Sequence, residues 1–109
     1  MKMALSPAAF GLLRALALKA GIPRDRILLS SWRSVEWQSL TFVGERQHIS
    51  LRVCGPDSVE AVGRLTCGLE DAEFDIPGQI VADITVVGGP DRASDGSTTL
   101  NLEALTIAE

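Results

Sequence analysis

The feature that most constrains the fold is a pair of alternating apolar and polar runs between Trp37 and Val53, which flank Gly44 and Glu45. Strict alternation places successive side chains on opposite faces of a strand. Glycine at the first central position suits a two-residue type II′ turn. We therefore predict a β-hairpin that pairs residues whose numbers add to 89, and a four-residue loop at the same place gives the same register.

This hairpin has one apolar face and one polar face. The core face pairs Leu40 with Ile49, Phe42 with Gln47 and Gln38 with Leu51, and it continues to Val53. The other face pairs Trp37 with Arg52, Ser39 with Ser50, Thr41 with His48 and Val43 with Arg46. The apolar face is expected to pack beneath helices, which leaves the polar face open.

Two helices are predicted on either side of the hairpin. Ser6 followed by Pro7 indicates the start of the first helix, and Gly21 with Pro23 indicates its end. Its apolar stripe comprises Ala9, Phe10, Leu12, Leu13, Leu16, Ala17 and Ala20. Leu18 lies outside this stripe, so it is either an exposed leucine without consequence or part of a contact with a partner.

The second helix is predicted from Asp57 to about Cys67. Asp57 and Glu60 have capping-box spacing, and Glu60 and Arg64 are spaced for an ion pair on the exposed side. Its buried side comprises Val59, Val62, Leu65, Thr66 and Leu69.

Three further segments are predicted to be strands, at residues 26–32, 80–87 and 98–107. The element order is therefore α-(β)-β-β-α-β-β. It predicts one α+β domain over residues 1–109, a two-layer sandwich with two helices on one face of a mainly antiparallel four- to five-stranded sheet.

The segment Trp37-x-Ser39-x-Thr41-Phe42-x-Gly44-x-Arg46 resembles a hairpin of small uncharacterised bacterial α+β proteins. It covers 10 of the 109 residues. The resemblance implies a hairpin within an α+β fold, and it carries no activity, cofactor or partner that transfers to this chain.

Charge is distributed unevenly along the chain. Residues 1–54 carry eight Lys and Arg against three Asp and Glu, whereas residues 55–109 carry two against eleven. One half should therefore attract the other, within a chain or between chains. The acidic total of −4 argues against nucleic acid as a partner.

Compartment and membrane contact follow from cysteine usage and apolar runs. Cys54 and Cys67 are the only cysteines, and their spacing indicates two inert, half-buried thiols in a reducing compartment rather than a zinc site. Arg14 interrupts the N-terminal apolar run, which argues against a signal peptide, and no run reaches the length of about twenty residues that a membrane span needs. We expect a soluble, cytoplasmic protein with no membrane partner.

No motif for catalysis, metal or nucleotide is present in the sequence. A Gly-x-Ser-x-Gly turn and a phosphate-binding loop are both absent. Asp71, Glu73 and Asp75 have the alternate spacing of a calcium loop, but Ile76 and Ala82 replace its required glycine and glutamate. We therefore assign no catalytic residue, no metal and no cofactor.

The candidate binding residues are Trp37, His48, Arg52, Asp83 and Glu103, which the predicted alternation gathers on the open face. Two functions remain open. The first is a non-enzymatic module that forms a homodimer or binds another protein through this face. The second is a small-ligand-binding protein or enzyme, of unknown ligand, in which His48 acts as a base between a carboxylate and the Thr41 hydroxyl.

Overall fold

A computed structural model, which describes residues 6–109, shows an α+β fold with two helices and a four-stranded antiparallel sheet in the order β1-β2-β4-β3. The helices are α1 (Pro7–Ala20) and α2 (Ser58–Thr66). The strands are β1 (Ile27–Gln38), β2 (Val43–Val53), β3 (Gln79–Arg92) and β4 (Thr98–Ala108). Single 3₁₀ turns occupy Arg24–Arg26 and Leu69–Asp71. The predicted fold class is confirmed, with four strands rather than five.

The boundaries of α1 lie where the sequence predicts them. The Ala9 amide donates to Ser6 Oγ at 3.1 Å, and Gly21 ends the helix with a φ of 69°. The prediction that Phe10 belongs to the buried stripe is wrong, because Phe10 is exposed; the other residues of the predicted stripe are buried. The Arg64 Nε donates to the carbonyl oxygen of Ala20 at 2.8 Å, which joins the C-terminal end of α1 to α2.

Three predictions for α2 are wrong. Val59 is exposed, and Ala61 is buried instead. Asp57 makes no side-chain cap bond in the described structure, because its carboxylate pairs with the Arg26 guanidinium. The predicted partner of Glu60, Arg64, reaches across to α1.

The hairpin register differs from the predicted one. Gln38 pairs with Val43, and residues 39–42 form the connection, in which the Phe42 amide donates to Ser39 Oγ at 3.0 Å. The numbers of paired residues next to the connection add to 81 rather than 89, a shift of eight positions. The predicted strand at 26–32 and the start of the predicted first arm, Trp37 and Gln38, are thus parts of one strand, β1, while residues 39–42 of that arm form the connection. Leu40 and Phe42, predicted in the core, are exposed in the connection.

Gly44 explains the error because it lies within β2 rather than in a turn. A Cβ atom there would overlap the carbonyl oxygen of Thr106 on β4. Glycine is therefore required by the close approach of a neighbouring strand. Because the shift is even, each β2 side chain keeps its predicted face, and Ile49, Leu51 and Val53 are buried as expected.

Beneath α1, a buried polar network is centred on Gln47, which is fully buried. Its Oε1 accepts from Trp32 Nε1 at 2.8 Å and from Ser34 Oγ. Its Nε2 donates to Thr106 Oγ1 at 3.1 Å and to Glu45 Oε1 at 3.3 Å. All four hydrogen-bonding positions of the amide are therefore satisfied by residues of β1, β2 and β4.

The network also reaches α1. Ser6 Oγ, which caps the helix, donates to Glu45 Oε1 at 2.7 Å. The N-terminal end of α1 is thus fixed to the same polar residues that join the strands.

We expect Gln47→Leu to lower the free energy of unfolding by about 1–3 kcal/mol, because the Trp32 indole and two hydroxyls lose a buried partner. Urea unfolding followed by circular dichroism measures the change, with the exposed Gln38→Leu as the control. Equal stability of the two variants would show that the network contributes nothing.

Two helical glycines provide a second test of packing. A Cβ atom at Gly11 in α1 would lie 2.6 Å from Cγ2 of Ile76, whereas no described atom lies within 4 Å of one at Gly63 in α2. Alanine favours a helix over glycine by about 1 kcal/mol. We expect Gly63→Ala to raise the melting temperature and Gly11→Ala to lower it, because the buried Ile76 side chain must shift to make room. A rise for both variants would contradict the close packing at Gly11.

Candidate functional site

The candidate residues lie on the sheet face that points away from the helices, which we call the outer face. Because directly paired residues share a face, the strand registers divide it into five rows. In the order β1, β2, β4, β3, row 1 is Trp37, Gly44, Ile107 and Ile80; row 2 is Val35, Arg46, Leu105 and Asp83; row 3 is Arg33, His48, Glu103 and Thr85; row 4 is Ser31, Ser50, Asn101 and Gly88; row 5 is Leu28, Arg52, Thr99 and Asp91.

His48 and Glu103 are in direct contact at the centre of this face. The His48 Nδ1 lies 3.0 Å from Glu103 Oε1, and both side chains are partly exposed. Arg33 of β1 is the other cross-strand neighbour of His48. The predicted neighbour, Thr41, lies in the hairpin connection, so the arrangement of a base between a carboxylate and that hydroxyl is not formed.

The other three candidates do not join this pair. Trp37 lies in row 1 and Arg52 in row 5, about 27 Å apart along the strands, so their predicted pairing is wrong. Arg52 instead faces Asp95 of the β3–β4 connection, with Nη1 3.6 Å from Oδ2. Asp83 lies on the edge strand β3. The five residues therefore share a face without forming one cleft.

A shallow groove does lie beside His48. It encloses about 290 Å³ and is lined on its polar side by Ser31, Arg33, His48, Ser50, Asn101 and Glu103. Ser50 Oγ donates to Asn101 Oδ1 at 2.6 Å across its floor. Sequence analysis missed Ser31 and Arg33, although the alternation that identifies them continues from Ser31 through Trp37.

A second cavity, of about 620 Å³, lies between α1 and residues 72–77. Arg14, Leu18 and Phe74 are among its lining residues, and none of the candidate residues reaches it. Lys19 lies on the wall of this cavity, and its Nζ donates hydrogen bonds to the carbonyl oxygens of Arg64 and Cys67.

Charge is divided between the two halves of the outer face. The basic side chains lie on β1 and β2 (Arg33, Arg46 and Arg52, with His48), and the acidic side chains lie on β3 and β4 (Asp83, Asp91 and Glu103). The charge asymmetry between the two halves of the sequence thus becomes a division across one surface.

Cys54 is half-buried and Cys67 is exposed, which corrects the expectation for Cys67, and both thiols are free. Within residues 6–109, no group of three or more His, Cys, Asp and Glu side chains is placed to hold a metal ion. No helix in that range is long and apolar enough to span a bilayer.

Comparisons with protein-family models, with curated proteins and with solved structures found no match. The resemblance of residues 37–46 to a bacterial hairpin therefore stays a prediction.

Asp95, which lies beside Arg52, gives the stability of the fold a dependence on pH. Hydrogen bonds from the hydroxyl and amide of Ser97, at 2.6 and 3.0 Å, together with the Arg52 guanidinium, hold the pKa of the Asp95 carboxyl below its usual value. A carboxyl whose pKa is lower in the folded state stabilises the fold above its unfolded pKa, and this contribution is lost as the pH falls through the folded value.

We therefore expect the stability difference between wild type and Asp95→Asn to be largest above about pH 4.5 and to shrink steadily below about pH 3.9. Thermal unfolding across this range measures it, with the exposed Asp75→Asn as the control. If the stability difference between wild type and Asp95→Asn did not change with pH, the charge of Asp95 would not contribute to stability.

Proposed function

We propose that this chain is a non-enzymatic protein-interaction module that self-associates through the outer face. The observation that supports it is the division of charge on that face, basic on β1 and β2 and acidic on β3 and β4. A surface with two opposite halves is complementary to a second copy of itself. In this proposal the basic half and the acidic half of the sequence both contribute to the same interface.

Apolar residues on the same face support the proposal. Val35 is 41% exposed and Ile80 is 50% exposed, and Trp37, Leu105 and Ile107 lie beside them in rows 1 and 2. Both helices cover the opposite side of the sheet, and on the outer face Trp37, Leu105 and Ile107 stay partly exposed. Contiguous exposed apolar side chains are typical of an association surface.

The face is also large enough. Four strands about 4.8 Å apart and ten residues at about 3.3 Å each give roughly 600 Å² per chain. Two such faces bury roughly 1,200 Å², the lower end of the range for specific interfaces. We place the module in the cytoplasm, where both thiols stay reduced.

A small-ligand or enzymatic function around His48 has the His48–Glu103 pair in its favour. The groove beside it, about 290 Å³, is smaller than most ligand pockets and open to solvent along the face. Self-association therefore has the better support.

The test compares two substitutions at matched exposure, Ile80→Glu on the outer face and Val59→Glu on α2, where the wild-type residues are 50% and 49% exposed. We expect wild type and Val59→Glu to show twice the chain mass at high concentration in light scattering. Ile80→Glu should weaken association about tenfold or more, because it buries a charge against apolar side chains.

A wild-type protein that stays monomeric at every concentration would overturn self-association and would favour the ligand-binding alternative. Equal weakening by both substitutions would place the contact away from the outer face.

A further inference from the structure

Two arrangements bring two copies of this sheet face to face with their strands aligned. In both, the two-fold axis lies between the sheets, either parallel or perpendicular to the strands. A parallel axis places β1 over the partner's β3 and β2 over the partner's β4, since the strand order is β1-β2-β4-β3. A perpendicular axis places every strand over its own copy.

The charges distinguish the two arrangements. A perpendicular axis stacks the half that carries Arg33, Arg46 and Arg52 on itself, and it stacks the acidic half likewise. Like charges opposed across an interface destabilise it. A parallel axis places the basic half of each copy over the acidic half of the other.

The rows distinguish them independently. A parallel axis leaves each row facing its own copy, so that Trp37 lies over the partner's Ile80 and Ser50 lies over the partner's Asn101. A perpendicular axis through the middle of the face places row 1 over row 5, which sets Ile107 against the partner's Thr99 and Ile80 against the partner's Asp91, while Trp37 meets the partner's Leu28. Only the parallel axis places the apolar row 1 over its own copy, although in rows 2 and 5 it sets Val35 and Leu28 opposite the partner's Asp83 and the partner's Asp91.

We infer that the chain forms a two-fold symmetric dimer whose axis runs parallel to the strands, between β2 and β4 and over the His48–Glu103 pair. At its centre His48 of each copy lies over the partner's Glu103, which makes a ring of four alternating groups. The inference rests on the proposed self-association, and it specifies which residues meet.

Arg33 and Asp83 give a test that reports contacts between chains only. They lie on the two edge strands, three strand spacings or about 14 Å apart in one chain. In the inferred dimer Arg33 lies one row, or about 6.7 Å along the strand, from the partner's Asp83, a separation that an arginine side chain spans.

We expect Arg33→Glu alone and Asp83→Lys alone to weaken association about fivefold or more, because each opposes like charges at two symmetric positions. When the two variants are mixed, the heterodimer has two such contacts. At one of them both substituted positions meet with their charges exchanged, and at the other the wild-type arginine meets the wild-type aspartate. Its affinity should return to within about threefold of wild type.

Sedimentation of the separate and mixed variants, with one partner labelled with a fluorophore, measures these affinities. Arg14→Glu, on the exposed side of α1, is the control: it should not weaken association, and its mixture with Asp83→Lys, which keeps one like-charge contact, should stay weaker than the mixture of Arg33→Glu with Asp83→Lys. Circular dichroism confirms that each variant is folded.

A dimeric wild type whose mixed variants show no recovery would overturn the parallel axis and leave self-association standing. A monomeric wild type would overturn both. A recovery with Arg14→Glu as large as that with Arg33→Glu would likewise contradict the inferred contacts.

Discussion

The fully satisfied amide of Gln47 is the interaction on which the rest of this structure depends. It bonds to Trp32 and Ser34 of β1 and to Thr106 of β4, and through Glu45 it reaches the Ser6 cap of α1. A slip of one residue in either strand pairing would turn a partner of this buried amide to the opposite face. The unpaired polar group left behind makes such a slip costly, so the network fixes one register where apolar residues alone would tolerate several.

That register determines what the outer face carries. Once Gln47, Ile49 and Leu51 point toward the helices, His48, Ser50 and Arg52 must point away. The pairing of β2 with β4 then sets His48 beside Glu103, because the same register that aligns the core residues aligns the residues between them. The surface and the core are therefore two results of one constraint.

The sequence predicts the parts of the fold that depend on near neighbours. The first helix begins and ends at Ser6 and Gly21 because capping is a local interaction. The turn predicted at Gly44 is wrong because the reason for glycine there is distant in sequence: the carbonyl oxygen of Thr106 leaves no room for a side chain at this position. Likewise, Asp57 has the spacing of a cap, but Arg26 lies close enough to bind it only after folding. The five candidate residues lie on the predicted face but with other neighbours, since alternation fixes the face and register fixes the neighbours.

The division of charge on the outer face follows from the order of the strands along the chain. The basic β1 and β2 come from the first half of the sequence and the acidic β3 and β4 from the second, so each half of the chain supplies one half of the sheet. Within one chain, opposite charges on neighbouring strands of this face meet where β2 touches β4, at His48 and Glu103. Arg33 and Asp83 lie on opposite edge strands and are too far apart to neutralise one another within the chain. In the dimer that we infer, an axis along the strands brings each edge of the sheet over the opposite edge of the second copy, so charges that are far apart in one chain meet in the pair.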